Sequence, residues 1–230
     1  MRALRGNGNL VFRDRHEAGR RLGEWFARER PRGELIVLGL PRGGVPVAYE
    51  LAAALDAPLD VLLVRKLGAP FNPEYAVGAI AAGGAVVYNE HAVAELGLDE
   101  RDLAPIVERE HAELTRRERA YRGDRPPLAL AGTTAMLVDD GIATGSTMRA
   151  AVDAVRAMGA HRVIVATPTA SREAVAQLER SADIVAALSV PEPYVAVGKW
   201  YEDFPQLDDE EVVELLTAHE RERALHTKRG

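Results

Sequence analysis

Two adjacent acids followed by a loop rich in glycine and hydroxyl residues form the chemically strongest pattern. A buried apolar strand delivers Asp139 and Asp140, and the segment 141–147 then opens into a predicted helix. Backbone N–H groups at a helix start, helped by Thr and Ser hydroxyls, can wrap an anion. The acids just upstream could hold hydroxyls of a sugar attached to that anion. The alternative is a capped strand–loop–helix connection, in which Asp and Thr only satisfy turn and N-cap positions.

The string 136–147 resembles the phosphoribosyl-pyrophosphate (PRPP) binding motif of type I phosphoribosyltransferases. The resemblance extends to most of the chain and is closest to bacterial phosphoribosyltransferases whose acceptor is unknown. It implies that Asp139 and Asp140 hold the ribose 2′- and 3′-hydroxyls. It also implies that the 5′-phosphate lies on the loop that follows, formed by Ala143, Thr144, Gly145, Ser146 and Thr147.

A second pattern, Arg42-Gly43-Gly44, follows the first predicted strand. Glycines let the backbone approach an anion closely, and the arginine fork suits phosphate. Taken alone the segment is a turn. In the resembled family the pyrophosphate loop follows the first core strand, often with a non-proline cis peptide before the basic residue. The resemblance therefore implies pyrophosphate binding here and a cis bond between Pro41 and Arg42.

Arg65 and Lys66 end the next predicted strand. Two cations facing the same crevice would neutralise a pyrophosphate leaving group, and the pair resembles the Arg-Lys that precedes the catalytic loop of orotate phosphoribosyltransferases. Both are therefore expected to be catalytic, together with the acid pair. The alternative is an exposed strand end with snorkelling side chains. The segment 67–75 reads as a loop but lacks the Lys and His of that relative, so the group that assists pyrophosphate departure stays open.

The tail segment 190–204 resembles the closing segment of 6-oxopurine enzymes. By that resemblance Tyr194, with Val195, binds the base, and Glu202 or Asp203 lies near the metal. The alternative is an aromatic cluster that packs the tail onto the sheet. Ala143 stands where those enzymes carry an Asp and where adenine, uracil and orotate enzymes carry a small residue. The sequence therefore combines features of both groups and leaves the acceptor base open.

Alternating strand and helix patterns predict an α/β fold with a mostly parallel sheet flanked by helices. Predicted strands cover 34–40, 60–64, 77–81, 85–88, 134–138, 161–167 and 183–188. Predicted helices cover 16–30, 47–55, 99–122, 145–158, 171–180 and the chain from 208 onward. We expect one domain over 1–230, with a core at about 34–190 and a small hood from about 1–30 and 190–230. The charged run 108–122 is expected to be a solvated helix face or an oligomer contact, with a catalytic role as the alternative.

Composition excludes several other classes of protein. The 230 residues are 47% hydrophobic and 28% charged, which is ordinary for a globular chain with a core. A net charge of −6 disfavours nucleic-acid binding, and the absence of cysteine excludes thiolate nucleophiles and Cys-ligated zinc. The histidines show no metal-ligand spacing. Without a membrane-length apolar stretch or a secretory h-region, the sequence predicts a cytoplasmic protein.

The resemblance implies Mg²⁺-dependent transfer of the phosphoribosyl group of PRPP to a nitrogenous base, with release of pyrophosphate, in nucleotide salvage or synthesis. The expected partners are PRPP and a nucleobase or nucleoside monophosphate, with no nucleic acid and no membrane, in a homo-oligomer (dimer). A non-catalytic PRPP- or nucleotide-sensing module on the same fold is the main rival. Phosphate-ester hydrolysis is a third possibility, for which no nucleophile and base constellation is evident.

Overall fold

The computed structural model describes residues 9–31, 33–81 and 83–227. The helices are α1 (Arg15–Arg28), α2 (Gly44–Leu55), α3 (Glu90–Glu95), α4 (Glu100–Arg122), α5 (Ser146–Ala157), α6 (Arg172–Leu178) and α7 (Asp209–Thr227). The strands are β1 (Leu35–Gly39), β2 (Leu59–Val61), β3 (Val64–Ala69), β4 (Asn72–Ala81), β5 (Val86–Tyr88), β6 (Thr134–Val138), β7 (Arg162–Thr169) and β8 (Ile184–Ser189). A 3₁₀ turn covers Val197–Trp200.

Five strands form a parallel sheet in the order β2-β1-β6-β7-β8. Every residue of β6 is buried, as expected for a central strand covered by helices on both faces. Two apolar clusters, one on each face, make up most of the core. The predicted α/β architecture is confirmed, and the strands assigned from continuous apolar runs lie within two residues of their predicted starts.

Helices α1 and α2 pack unusually close because two glycines of α1 face α2. A Cβ on Gly19 would lie 2.7 Å from the Val47 carbonyl oxygen, and one on Gly23 would lie 2.6 Å from the Ala54 Cβ. This close contact runs along α2 from Val47 to Ala54. Arg15, the first residue of α1, lines a cavity together with Arg42 and Gly43 of the loop that precedes α2.

A second, antiparallel sheet of order β3-β4-β5 contains the segment 67–75, which the sequence predicted to be a loop. That prediction was wrong except for the two-residue turn 70–71. The hairpin accommodates its Gly and Pro residues through register shifts on both sides of Gly68, where a Cβ would lie 2.3 Å from the Pro73 carbonyl oxygen. Gly and Pro thus mark a bulge and close backbone approach here, which local sequence patterns do not distinguish from a loop.

The tail returns to the start of the described chain. Phe12 and Tyr201 form a parallel bridge, in which the Phe12 N–H donates to the Trp200 carbonyl and the Glu202 N–H donates to the Phe12 carbonyl, both at 2.8 Å. Phe12 and Tyr201 are buried together with Ala18 in a small separate apolar cluster. The segment before α1 and the segment after β8 therefore form one structural unit beside the sheet.

Candidate functional site

The acid pair lies at the carboxyl end of central strand β6, next to the loop that follows β1. A Cβ on Gly43 would lie 2.0 Å from Asp140 Oδ2, and one on Gly44 would lie 2.4 Å from the Val138 carbonyl oxygen. Both positions therefore require glycine. In this structure the two glycines bring the loop containing Arg42 against the acids, in addition to any contact they make with an anion.

Arg15 holds Asp140 in place. Its Nε donates to Asp140 Oδ2 at 2.8 Å, and its Nη1 donates to the Pro205 carbonyl at 2.8 Å. Its guanidinium carbon lies 3.8 Å from the centre of the Phe204 ring. The Tyr201 hydroxyl donates to the Asp140 carbonyl at 2.5 Å. Asp140 is thus a buried, paired carboxylate, whereas Asp139 remains partly exposed.

Burial raises the pKa of both acids. The pKa of Asp139 lies well above its ordinary value because of burial and the adjacent charge of Asp140. The pKa of Asp140 is also raised by burial, and Arg15 opposes that rise. Two adjacent acids with raised pKa values at the end of a parallel strand indicate a functional site. Ionising both acids destabilises the fold, and such unfavourable groups cluster at sites that use them.

The loop 143–147 meets the amino end of α5 at Gly145, which adopts a left-handed conformation with φ of 75°. The N-cap residue Gly145 has no side chain to cap the helix. The Ser146 N–H makes a long bond of 3.4 Å to the Thr144 hydroxyl, and the N–H groups of the next two residues are available to an anion. The Thr144 and Ser146 hydroxyls lie 3.2 Å apart and are exposed, as are Ala143 and Thr147. Behind the loop, the Ser171 hydroxyl donates to the Ala143 carbonyl at 2.6 Å.

A cleft of about 440 Å³ opens beside this loop, and we call it the arginine cleft. Arg42 and Arg65 line it, with Thr147 at its edge. The Pro41–Arg42 peptide is cis, as the resemblance implied. Arg65 pairs with the buried Glu110 at 2.5 Å, and Arg42 Nη1 lies 3.9 Å from Asp209 Oδ1.

The expectation that Arg65 and Lys66 face one crevice is wrong. They are consecutive residues of β3, and successive side chains of a strand point to opposite faces. Lys66 lines a different cavity of about 640 Å³, together with Ser146 and Arg149. The two cations therefore flank the loop 143–147 from different sides, and Arg65 is the one that shares a cleft with Arg42.

The predicted base-binding and metal residues lie in the tail. The half-buried Tyr194 ring lies 6.0 Å from that of Trp200, and burial raises the Tyr194 pKa to about 12. Val195 is 70% exposed. Glu202 and Asp203 are exposed, with their N–H groups bonded to the Phe12 and Arg13 carbonyls. Their roles in base and metal binding stay predictions.

The donor set suits a magnesium ion that arrives with its substrate. Among the described residues, no three His, Cys, Asp or Glu side chains converge on a possible metal position. Mg²⁺ usually takes one or two carboxylates and completes its shell with substrate phosphates and water. The partly exposed Asp139 fits that role, whereas Arg15 already occupies one oxygen of Asp140.

Sequence reasoning missed two groups of cations. Arg15 lies more than a hundred residues from Asp140, and its helical pattern gave no signal of a buried partner. Arg116 and Arg117 of α4 also line the arginine cleft, although the charged run containing them was expected to be a solvated face or an oligomer contact. Their adjacent positions in the sequence do not indicate a binding site, because it is the packing of α4 against β3 that brings them to the cleft.

Comparisons with known proteins agree with this geometry. Residues 13–194 match the phosphoribosyl transferase domain family. Relatives named "Putative phosphoribosyl transferase" in two strains of Mycobacterium tuberculosis are 44% identical over 214 residues, which cover 93% of this chain and 48% of each relative. The chain thus spans about half the length of these curated relatives.

The crystal structure of TT1426 from Thermus thermophilus is 45% identical, with a TM-score of 0.83 over 91% of this chain and 99% of that one. None of the described helices is long and apolar enough to cross a membrane. The family match covers most of the chain and includes α1, the acid pair, the loop 143–147, the loop of Arg42 and the hairpin residue Arg65, and it ends at Tyr194. The chain belongs to the phosphoribosyl transferase domain family.

Proposed function

We propose that this protein transfers the phosphoribosyl group of PRPP to a ring nitrogen of a nucleobase and releases pyrophosphate, with Mg²⁺. One observation carries the proposal: a half-buried acid, Asp139, follows strand β6 just before a helix start without an N-cap side chain, and the loop of Arg42, which lines the arginine cleft, packs against it at Gly44. PRPP needs these three environments together, for its ribose hydroxyls, its 5′-phosphate and its pyrophosphate.

Each element of the site then has one task. The Asp139 carboxylate accepts hydrogen bonds from the ribose hydroxyls, and Asp140, oriented by Arg15, completes that contact. The N–H groups and hydroxyls of 144–147 bind the 5′-phosphate. Arg42 and Arg65 stabilise the negative charge that develops on the departing pyrophosphate. Positioning and charge stabilisation of this kind supply most of the catalysis that such a displacement needs.

Mg²⁺, when bound with the substrate, would reduce the negative charge that the arginines must balance. Asp139 is the residue that would hold it. We keep Glu202 and Asp203 as a secondary proposal for a metal contact, because both are exposed acids close to the Phe12 segment.

The acceptor is proposed to enter from the side of the tail. A third cavity, of about 500 Å³, is called the tail pocket and is lined by Asp140, Arg42 and Phe204. Arg42 lines both this pocket and the arginine cleft, and we propose that the base enters through the first and pyrophosphate leaves through the second. Tyr194 and Val195 do not line the tail pocket; Tyr194 remains the proposed stacking residue on the evidence of the sequence alone, with Val195 beside it. With Ala143 in the loop, no side chain there can take a proton from the base.

A second candidate is a sensor that binds PRPP or a nucleotide without turnover. The described part of the β3–β4 hairpin carries Arg65 and Lys66 near its base and an exposed Phe71 at its tip, with no further basic side chain. A catalytic loop would use such side chains to cover the leaving group. This observation favours the sensor and makes turnover the deciding measurement.

The test is pyrophosphate release from PRPP with Mg²⁺ and a panel of purine and pyrimidine bases. We expect base-dependent release from at least one of them, at a rate lost in Asp139→Asn. Saturable PRPP binding without release from any base would support the sensor. Absence of both binding and release would refute both functions. Cytoplasmic location, a dimeric state and a role in nucleotide metabolism belong to this same proposal.

A further inference from the structure

Helix α4 forms the wall of the arginine cleft that faces the loop of Arg42. Its residues Leu114, Arg116, Arg117 and Tyr121 line the cavity. Of the charged side chains that line it, four are arginines (Arg42, Arg65, Arg116 and Arg117) and one, Asp209, is an acid. A concave surface with this imbalance attracts a compact polyanion, because low-dielectric walls concentrate its positive potential.

The two α4 arginines keep free donors. Arg116 donates through Nε and Nη2 to Glu113, at 2.9 and 3.0 Å, and Arg117 donates through Nε to the same carboxylate at 2.7 Å. One acid therefore balances two cations. A guanidinium has five N–H donors, so most of those on Arg117 have no partner among the described residues. The side chains are 68% and 46% exposed, which leaves them able to turn toward a ligand.

The hairpin does not supply these cations. Among the described residues it offers one charged side chain to the cleft, Arg65, which Glu110 already engages at 2.5 Å. Lys66 faces the other cavity. Any pyrophosphate in the cleft would therefore meet Arg42 on one side and α4 on the other.

We propose that Arg116 and Arg117 bind the pyrophosphate group of PRPP and replace the basic residues that the hairpin lacks. This inference deepens the proposed function and rests on it for the identity of the ligand. Glu113 holds both guanidinium groups in place before the ligand arrives. Arg42 and the α4 pair then grip the pyrophosphate from opposite walls, while the ribose 5-phosphate half lies on the Asp139 and Thr144 side.

Two probes separate the halves of the site. Inorganic pyrophosphate, with Mg²⁺, reports on the arginine cleft, and ribose 5-phosphate reports on the acid pair and phosphate loop. Calorimetric binding of each is compared for wild type, Arg116→Gln combined with Arg117→Gln, and the control Arg119→Gln. Arg119 is an exposed arginine of the same helix that does not line the cleft.

We expect the double variant to raise the pyrophosphate Kd at least about ten-fold, with the ribose 5-phosphate Kd unchanged and the control equal to wild type. The exposed pairs with Glu113 contribute little stability, so the variant should fold; its thermal midpoint verifies this. Unchanged pyrophosphate affinity in the double variant, an equal loss in the control, or no pyrophosphate binding by wild type would overturn the inference. Failure of ribose 5-phosphate to bind, with pyrophosphate binding still lost in the double variant, would refute the proposed function but keep the cleft assignment.

Discussion

At the scale of single residues, Asp139 and Asp140 have the same chemistry in different surroundings. Asp140 is buried, gives one oxygen to Arg15 and leaves no room for a Cβ at Gly43. Asp139 is only partly buried and forms no ion pair with the residues that the structure describes; one of its oxygens accepts the Asp140 N–H at 2.9 Å. We therefore expect Asp139 to contact the substrate directly, and Asp140 to hold Arg15 and the loop of Gly43 in position.

Asp139→Asn should stabilise the protein while removing PRPP binding. The raised pKa of Asp139 means that the native state binds its proton more tightly than the unfolded chain does. Ionisation above the ordinary carboxyl pKa therefore costs stability, and the cost grows as pH rises. We expect the thermal midpoint at pH 7 to rise by roughly 2–4 °C for each kcal/mol gained in a chain of this size. The gain should shrink toward pH 4, and a lower midpoint at pH 7 would contradict this account.

Arg15→Leu should destabilise the fold by about 3–5 kcal/mol at pH 7, because it leaves a buried carboxylate without its partner. The pKa of Asp140, which Arg15 now holds down, should rise further in the variant. Its stability should therefore recover as pH falls and Asp140 is protonated. Urea unfolding at pH 5 and pH 7 measures both effects.

The combined variant Arg15→Leu with Asp140→Asn is the matched control. It has no buried charge to leave unpaired, so most of the lost stability should return at pH 7. If the double variant is as unstable as Arg15→Leu alone, the packing of Arg15 on Phe204 and not its charge is what matters.

At the scale of elements, the sequence predicted the parallel sheet well because buried strands are continuous apolar runs that local reading detects. It also placed the acids and the phosphate loop correctly at a strand end, since the strand and helix patterns on either side are strong. It did not predict the β3–β4 hairpin, because the bulge at Gly68 uses the residue types of loops. Arg15 and the α4 arginines were missed because their places depend on how distant elements pack.

Helix α7 provides an element-scale test through His219, which is 3% exposed. Its Nε2 bonds to the Ala57 carbonyl at 2.9 Å, which requires Nε2–H to donate. Burial, and the nearby Arg223, lower the pKa of His219. The unfolded chain therefore binds this proton more readily than the native state, and stability should be lost as pH falls below about 6.5.

His219→Gln tests that dependence, since its amide can still donate to Ala57 without titrating. We expect the variant to lose about 1 kcal/mol at pH 7.5 and to show a smaller drop between pH 7.5 and pH 5.5 than wild type. Urea unfolding at the two pH values gives both numbers. An equal drop in wild type and variant would show that α7 docking does not depend on a neutral His219.

At the scale of the whole molecule, two cavities meet at Arg42. The arginine cleft holds the α4 arginines and the tail pocket holds Asp140 and Phe204, and Arg42 lines both. The fold reaches this arrangement by joining the segment before α1 to the tail through Phe12 and Tyr201. A displacement at the sugar carbon needs an entry side and an exit side, and this arrangement offers both.

The central claim is that PRPP binds between Asp139 and the loop at Thr144. Calorimetric titration of PRPP with Mg²⁺ into wild type and into Asp139→Asn combined with Thr144→Val tests it most directly. The control carries the same chemical changes at the exposed residues Asp124 and Thr115. Losing two hydrogen bonds to charged groups, at about 1.5 kcal/mol or more each, should weaken binding by about a hundred-fold or more. Saturable binding by wild type and control, with that loss in the site variant, is the predicted result; equal affinity in all three proteins would contradict it.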